Sequence, residues 1–314
     1  MTPFPAGAGV LATSVLDEAV GMLTDPLMQR ALLAALLVGL VAPVIGTYLV
    51  QRRLSLLGDG IGHVALTGVA LGWVVGGAAG LLPRDALALP GAVVAALLGA
   101  VLIEFLRDRG AVTGDVVLAL LFYGGIAGGV LLIGVAGGTS ANLTAYLFGS
   151  ISTVSTADLR LTAVLSVLIL GVGLGLRPAL FSVSQDPEFA RASGLPVRAL
   201  NTVVAMLAAL SVTVAMRVVG VLLVSALMIV PVAIAQLFAK SFHRTMAIAM
   251  AVGVGVCVAG LTITYWNNVS PGATIVVLAI VVYGVVGLVR GLATRRSPAA
   301  QAATADDGVA HGGR

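Results

Sequence analysis

Apolar stretches of about twenty residues recur along almost the whole chain, and this recurrence restricts the possible folds more than any motif does. Nine can be marked, at about 28–50, 59–80, 87–106, 115–136, 158–177, 199–218, 220–239, 244–265 and 272–290. A helix of that length spans a hydrocarbon core of roughly 30 Å. The 314 residues are 59% hydrophobic and only 10% charged, against roughly 25% charged in soluble domains, so the lipid bilayer is the solvent for most of the surface. No stretch alternates with period two, which excludes membrane β-strands, and lipid tolerates no open backbone. The predicted fold is all-α, a polytopic transmembrane helix bundle of about nine spans.

Charge placement orients this bundle. With the N-terminus outside, the segments facing the cytoplasm hold Arg52, Arg53, Arg107, Arg109, Arg177, Arg191, Arg198, Lys240, Arg244, Arg290, Arg295, Arg296 and Arg314. Only Arg30, Arg84, Arg160 and Arg217 remain outside, and this bias among the 17 basic residues follows the positive-inside rule. The C-terminus is then cytoplasmic. The basic residues never gather into a patch with aromatics, so nucleic acid is not an expected partner. The single cysteine, Cys257, lies inside an apolar run, which leaves no disulfide or cysteine metal cluster.

Forty glycines would weaken a soluble helical protein, yet in lipid they let helices approach closely. Gly68, Gly72, Gly76 and Gly80 recur every four residues and predict a ridge for a neighbouring helix. The organisation read from these features is an extension over 1–27, a transmembrane domain over 28–290 and a disordered cytoplasmic tail over 291–314.

Ionisable and polar groups inside the spans mark functional positions, because lipid penalises them heavily. The segment GDGIGHVALTGVALG, residues 58 to 72, places Asp59, His63 and Thr67 at four-residue steps, hence on one helix face. A carboxylate and an imidazole one turn apart offer two ligands to a borderline divalent metal, and Gly60 and Gly62 leave space beside them. The same spacing also fits a structural role, with Asp59 capping its helix and His63 bonded to a carbonyl of an adjacent span.

The longest hydrophilic connection, at 181–201, sits on the cytoplasmic side. Within it Asp186, Pro187 and Glu188 form a helix-start pattern, and Gly194 before Pro196 ends it. A short helix bearing Glu188 and Arg191 outside the bilayer suits the docking of a soluble partner.

The strings QRRLSLLGDGIGHVALTGVALG (51–72), TAYLFGSIS (144–152), DPEFARASGLPV (186–197) and RVVGVLLVSALMIVPVAIAQL (217–237) resemble the metal-type ABC importer permeases, whose members move zinc, manganese or iron. The resemblance runs from about 28 to 290. It implies that Asp59 and His63 meet the ion in the translocation path, and that the loop at 181–198, with Asp186, Glu188, Arg191 and Gly194, couples to an ATPase. It places Pro231, and with it Thr67, among possible pore-lining positions. It further implies a prokaryotic plasma-membrane location, a second permease copy, ABC ATPase subunits and an extracytoplasmic metal-binding protein. The transported metal is cargo, and no permanently bound cofactor is implied. In the outer loop NNVSPGAT (267–274), Asn stands where the family often has an acid.

The chain lacks a phosphate loop of its own, since its only lysine, Lys240, follows Ala239. ATP hydrolysis is therefore expected of a partner, and the chain is expected to be a transport subunit and not an enzyme. The GDGIGHVALTG string is similar to zinc-type members, which makes Zn²⁺ the expected cargo and Mn²⁺ or Fe²⁺ the alternative. A gradient-driven secondary transporter would show inverted repeats. An intramembrane metalloprotease would need a His-Glu-x-x-His motif. Neither feature is found.

Overall fold

The computed structural model describes residues 20–81, 86–109, 114–137, 140–150, 155–267 and 269–295, and every regular element among them is a helix. In chain order these are α1 (Pro26–Gln51), α2 (Leu57–Ala78), α3 (Ala88–Asp108), α4 (Gly114–Val135), α5 (Ser140–Phe148), α6 (Thr156–Gly175), α7 (Arg177–Gln185), α8 (Pro187–Ala192), α9 (Val197–Ala215), α10 (Val224–Phe238), α11 (Phe242–Trp266) and α12 (Pro271–Arg295). Among the described residues eight helices are long and apolar enough to cross a membrane. The ninth expected span is represented by α10, apolar but only 15 residues long.

Local signals start several of these helices. Asp25 accepts a hydrogen bond from the Leu27 amide with Pro26 at the first helical position, and Ser155 with Asp158 forms a reciprocal capping box at α6. Helices α1 and α9 bury most of their length, α2 packs between α3 and α4, and α11 lies along α1 with α10 and α12 beside it. Small residues set the crossings. Gly39 of α1 meets the backbone of Gly253 and Val254 in α11, and Gly68 and Gly72 of α2 meet Gly91 and Leu87 at the start of α3. Gly80, the last of the four-residue series, lies beyond α2 and faces open space. On the outside of the bundle Leu98, Leu120, Val167 and Leu288 stand exposed, a surface that lipid accommodates.

The shortness of α10 has a local cause. After α9 the chain leaves the helix and turns through Gly220, whose φ of +87° suits glycine. Val221 and Leu222 donate backbone hydrogen bonds to the carbonyls of Tyr146 and Leu147 at the end of α5. Non-helical backbone at membrane depth survives only when protein covers it, and Val218, Val219 and Val221 are buried. Gly149 (φ +77°) packs against Val218, and Gly272 at the head of α12 packs against Val219. The apolar run over 220–239 had suggested a continuous span, because hydrophobicity alone does not register where backbone pairs with a neighbour.

Two boundaries also move. Helix α12 continues through 291–295, so the first residues of the expected tail are helical, and the remainder lies outside the described residues. Residues 20–24 form a helical turn and residues 26 and 27 already belong to α1, while 1–19 lie outside the described residues.

Candidate functional site

Asp59 is the third residue of α2, and His63 follows one turn later on the same face. The capping position is Leu56, which makes no side-chain bond, so Asp59 does not cap its own helix. Its Oδ1 instead accepts a hydrogen bond of 2.8 Å from the hydroxyl of Ser225, 166 residues away on the first turn of α10. His63 is 1% exposed. Its ring stands edge-on to Phe122 of α4 with centroids 4.3 Å apart, and its Nδ1 has no hydrogen-bond partner. A buried imidazole nitrogen ordinarily finds a partner, so an unsatisfied Nδ1 here is unusual.

Three helices build the pair. Helix α4 runs alongside α2 so closely that a Cβ on Gly125 would lie 2.5 Å from the backbone carbon of His63. From the other side α10 reaches Gly58, where a Cβ would meet Met228 Sδ at 3.2 Å and Ser225 Oγ at 3.5 Å. The space expected beside Gly60 and Gly62 is taken up by Leu118, and by Val221 and Val212. Among the described residues no three His, Cys, Asp or Glu side chains gather into a metal cluster.

Thr67 continues the face, but it donates its hydroxyl to the Gly125 carbonyl at 2.8 Å and so ties α2 to α4. Pro231 lies buried in α10, six residues after Ser225, where it leaves the Leu227 carbonyl without its usual amide donor. Ser225 itself was not singled out from the sequence. The available signal was a hydroxyl inside an apolar run, and only its pairing with Asp59 gives it weight.

The second region lies around α8 and the start of α9. Asp186 Oδ1 accepts from the amides of Glu188 (3.0 Å) and Phe189 (2.9 Å) and starts α8 with Pro187 at its first position. Gly194, at φ +82°, ends it. Ala190 is buried beneath α8 while Phe189 is 65% exposed. The residues at 181–185, expected to be part of the loop, form the end of α7. Immediately after α8, α9 is joined to its neighbours: Arg198 Nε lies 3.1 Å from Asp108 Oδ2 of α3, and Arg52 Nη2 donates to Asn201 Oδ1 at 2.7 Å. At the end of α11, the Asn267 side-chain amide donates to the Ile263 carbonyl, while Asn268 lies outside the described residues.

The comparisons with known proteins agree with this architecture. The ABC 3 transport family matches residues 24–290. The manganese import system permease protein ScaB of Streptococcus gordonii is 32% identical over 256 residues, covering 82% of this chain and 88% of its own length. The chelated iron transport system membrane protein YfeD of Yersinia pestis is 33% identical over 253 residues, covering 81% and 82%. Among solved structures, PsaBC from Streptococcus pneumoniae in complex with Fab superposes with a TM-score of 0.76 at 31% identity, covering 87% of this chain and 95% of that one. The helical bundle, the motif strings in their order and this match place the chain in the ABC 3 transport family, the permeases of metal-type ABC importers.

Proposed function

We propose that this protein is the membrane-spanning subunit of an ATP-driven importer that carries Mn²⁺ or Fe²⁺ across a prokaryotic plasma membrane. The observation that supports it most is the buried His63, with its Nδ1 unpartnered, one turn from Asp59. Carboxylate and imidazole suit Mn²⁺ and Fe²⁺ as well as Zn²⁺, so the ligands alone do not choose. The names of the relatives favour manganese and iron over the zinc that the GDGIGHVALTG string suggested.

In this reading two copies of the chain work with ABC ATPases and an extracytoplasmic metal-binding protein. The N-terminus faces outward and the C-terminus faces the cytoplasm. Helix α8, with Glu188, Arg191 and the exposed Phe189, receives the thrust of the ATPase, which supplies the energy for alternating access. The test is uptake of radiolabelled Mn²⁺, Fe²⁺ and Zn²⁺ by cells lacking their own importers and expressing the complete transporter. Uptake of Mn²⁺ or Fe²⁺, lost with Asp59→Asn, supports the proposal. Accumulation of Zn²⁺ alone, or uptake unaffected by Asp59→Asn, overturns it.

A further inference from the structure

We propose that Ser225 is a positioning residue that limits how tightly Asp59 holds the transported ion. This rests on the reading of Asp59 and His63 as ion contacts. An Asp carboxylate meets a divalent cation through one oxygen or through both. The hydroxyl of Ser225, a residue 8% exposed, donates to Oδ1 at 2.8 Å, a charge-assisted hydrogen bond that occupies a lone pair of that oxygen. Oδ2 remains for the ion, and the contact stays one-legged. A conducting site must bind strongly enough to admit its ion and weakly enough to release it, and a competing donor on the carboxylate supplies that weakness.

The local structure is arranged to bring this donor in. Gly58 precedes Asp59, and a Cβ there would touch Ser225 Oγ at 3.5 Å and Met228 Sδ at 3.2 Å, so α10 packs closely against this turn of α2. Ser225 occupies the first turn of α10, directly after the irregular stretch whose amides bond to the end of α5. The hydroxyl is thereby tied to the stretch before α10 that is hydrogen-bonded to α5. A movement of α5 and that stretch carries Ser225 with it and changes the grip of Asp59 on the ion.

The test is Mn²⁺ uptake against Mn²⁺ concentration in proteoliposomes containing the complete transporter. Ser225→Ala is compared with wild type, Ser225→Thr and Asp59→Asn. Freed of its competitor, Asp59 holds the ion more tightly, so Ser225→Ala lowers both the half-saturating concentration and the maximal rate, each on the order of tenfold. Ser225→Thr keeps the hydroxyl and restores both. A merely structural role raises the half-saturating concentration, and that result, or unchanged kinetics, overturns the proposal. If Ser225→Ala does not reach the membrane, Ser225→Cys, a weaker donor of similar size, must shift both parameters in the same downward direction. Wild-type uptake by Asp59→Asn would instead overturn the underlying reading of the ion contacts, which separates the two failures.

Discussion

Gly125 of α4 presses directly on the backbone of His63, with no space for a side chain between them. The neighbouring Gly124 faces open space. Gly125→Ala should push α4 away from α2, disturb the His63 ring against Phe122 and lower uptake, at a packing cost of about 1–3 kcal/mol. Gly124→Ala should leave both uptake and thermal stability of the purified protein unchanged. Parallel uptake and melting measurements on the two variants check this.

His63→Ala removes the imidazole and its edge-on contact with Phe122, but no hydrogen bond from Nδ1, which has no partner. Metal uptake should fall to background while the protein inserts normally and still co-purifies with its ATPase. Retained uptake in the intact complex would remove His63 from the path.

The exposed face of α8 predicts a separation of function. Replacing Glu188 and Arg191 together with Ala should leave the helix folded, because Asp186 supplies its N-cap. ATP hydrolysis by the partner should then no longer depend on transport. Asp186→Ala should act differently, removing the cap at a cost of roughly 0.5–2 kcal/mol and weakening assembly with the ATPase. Hydrolysis and transport rates in proteoliposomes, together with co-purification, distinguish the cases.

Gly220→Ala should prevent accumulation of folded protein. A side chain there would collide with the Leu147 carbonyl, and the left-handed backbone costs about 1–2 kcal/mol for an ordinary residue. Gly171→Ala, where a methyl group meets open space, serves as the control. Membrane levels and detergent melting curves report the difference.

A reporter fused after Arg314 should be active only in the cytoplasm, and one fused before Met1 only outside. The opposite pattern would invert the assignment of α8 to the ATPase side.

The amino-acid sequence by itself determined the solvent, the helical class and most spans, because twenty-residue apolar runs have one stable solution in lipid. It also determined α8, since Asp186, Pro187 and Gly194 act on their immediate neighbours. The pairing of Asp59 with His63 was legible for the same reason, both lying on one helix. Tertiary structure alone decided that Ser225 would bond Asp59, that Thr67 would be committed to Gly125, and that α10 would begin only after an irregular stretch paired with α5. Each of these joins residues that are distant in sequence, and helix periodicity carries no information about which helices meet. The partner across each interface is chosen by packing, where glycines such as Gly125 and Gly220 admit backbone that any side chain would exclude.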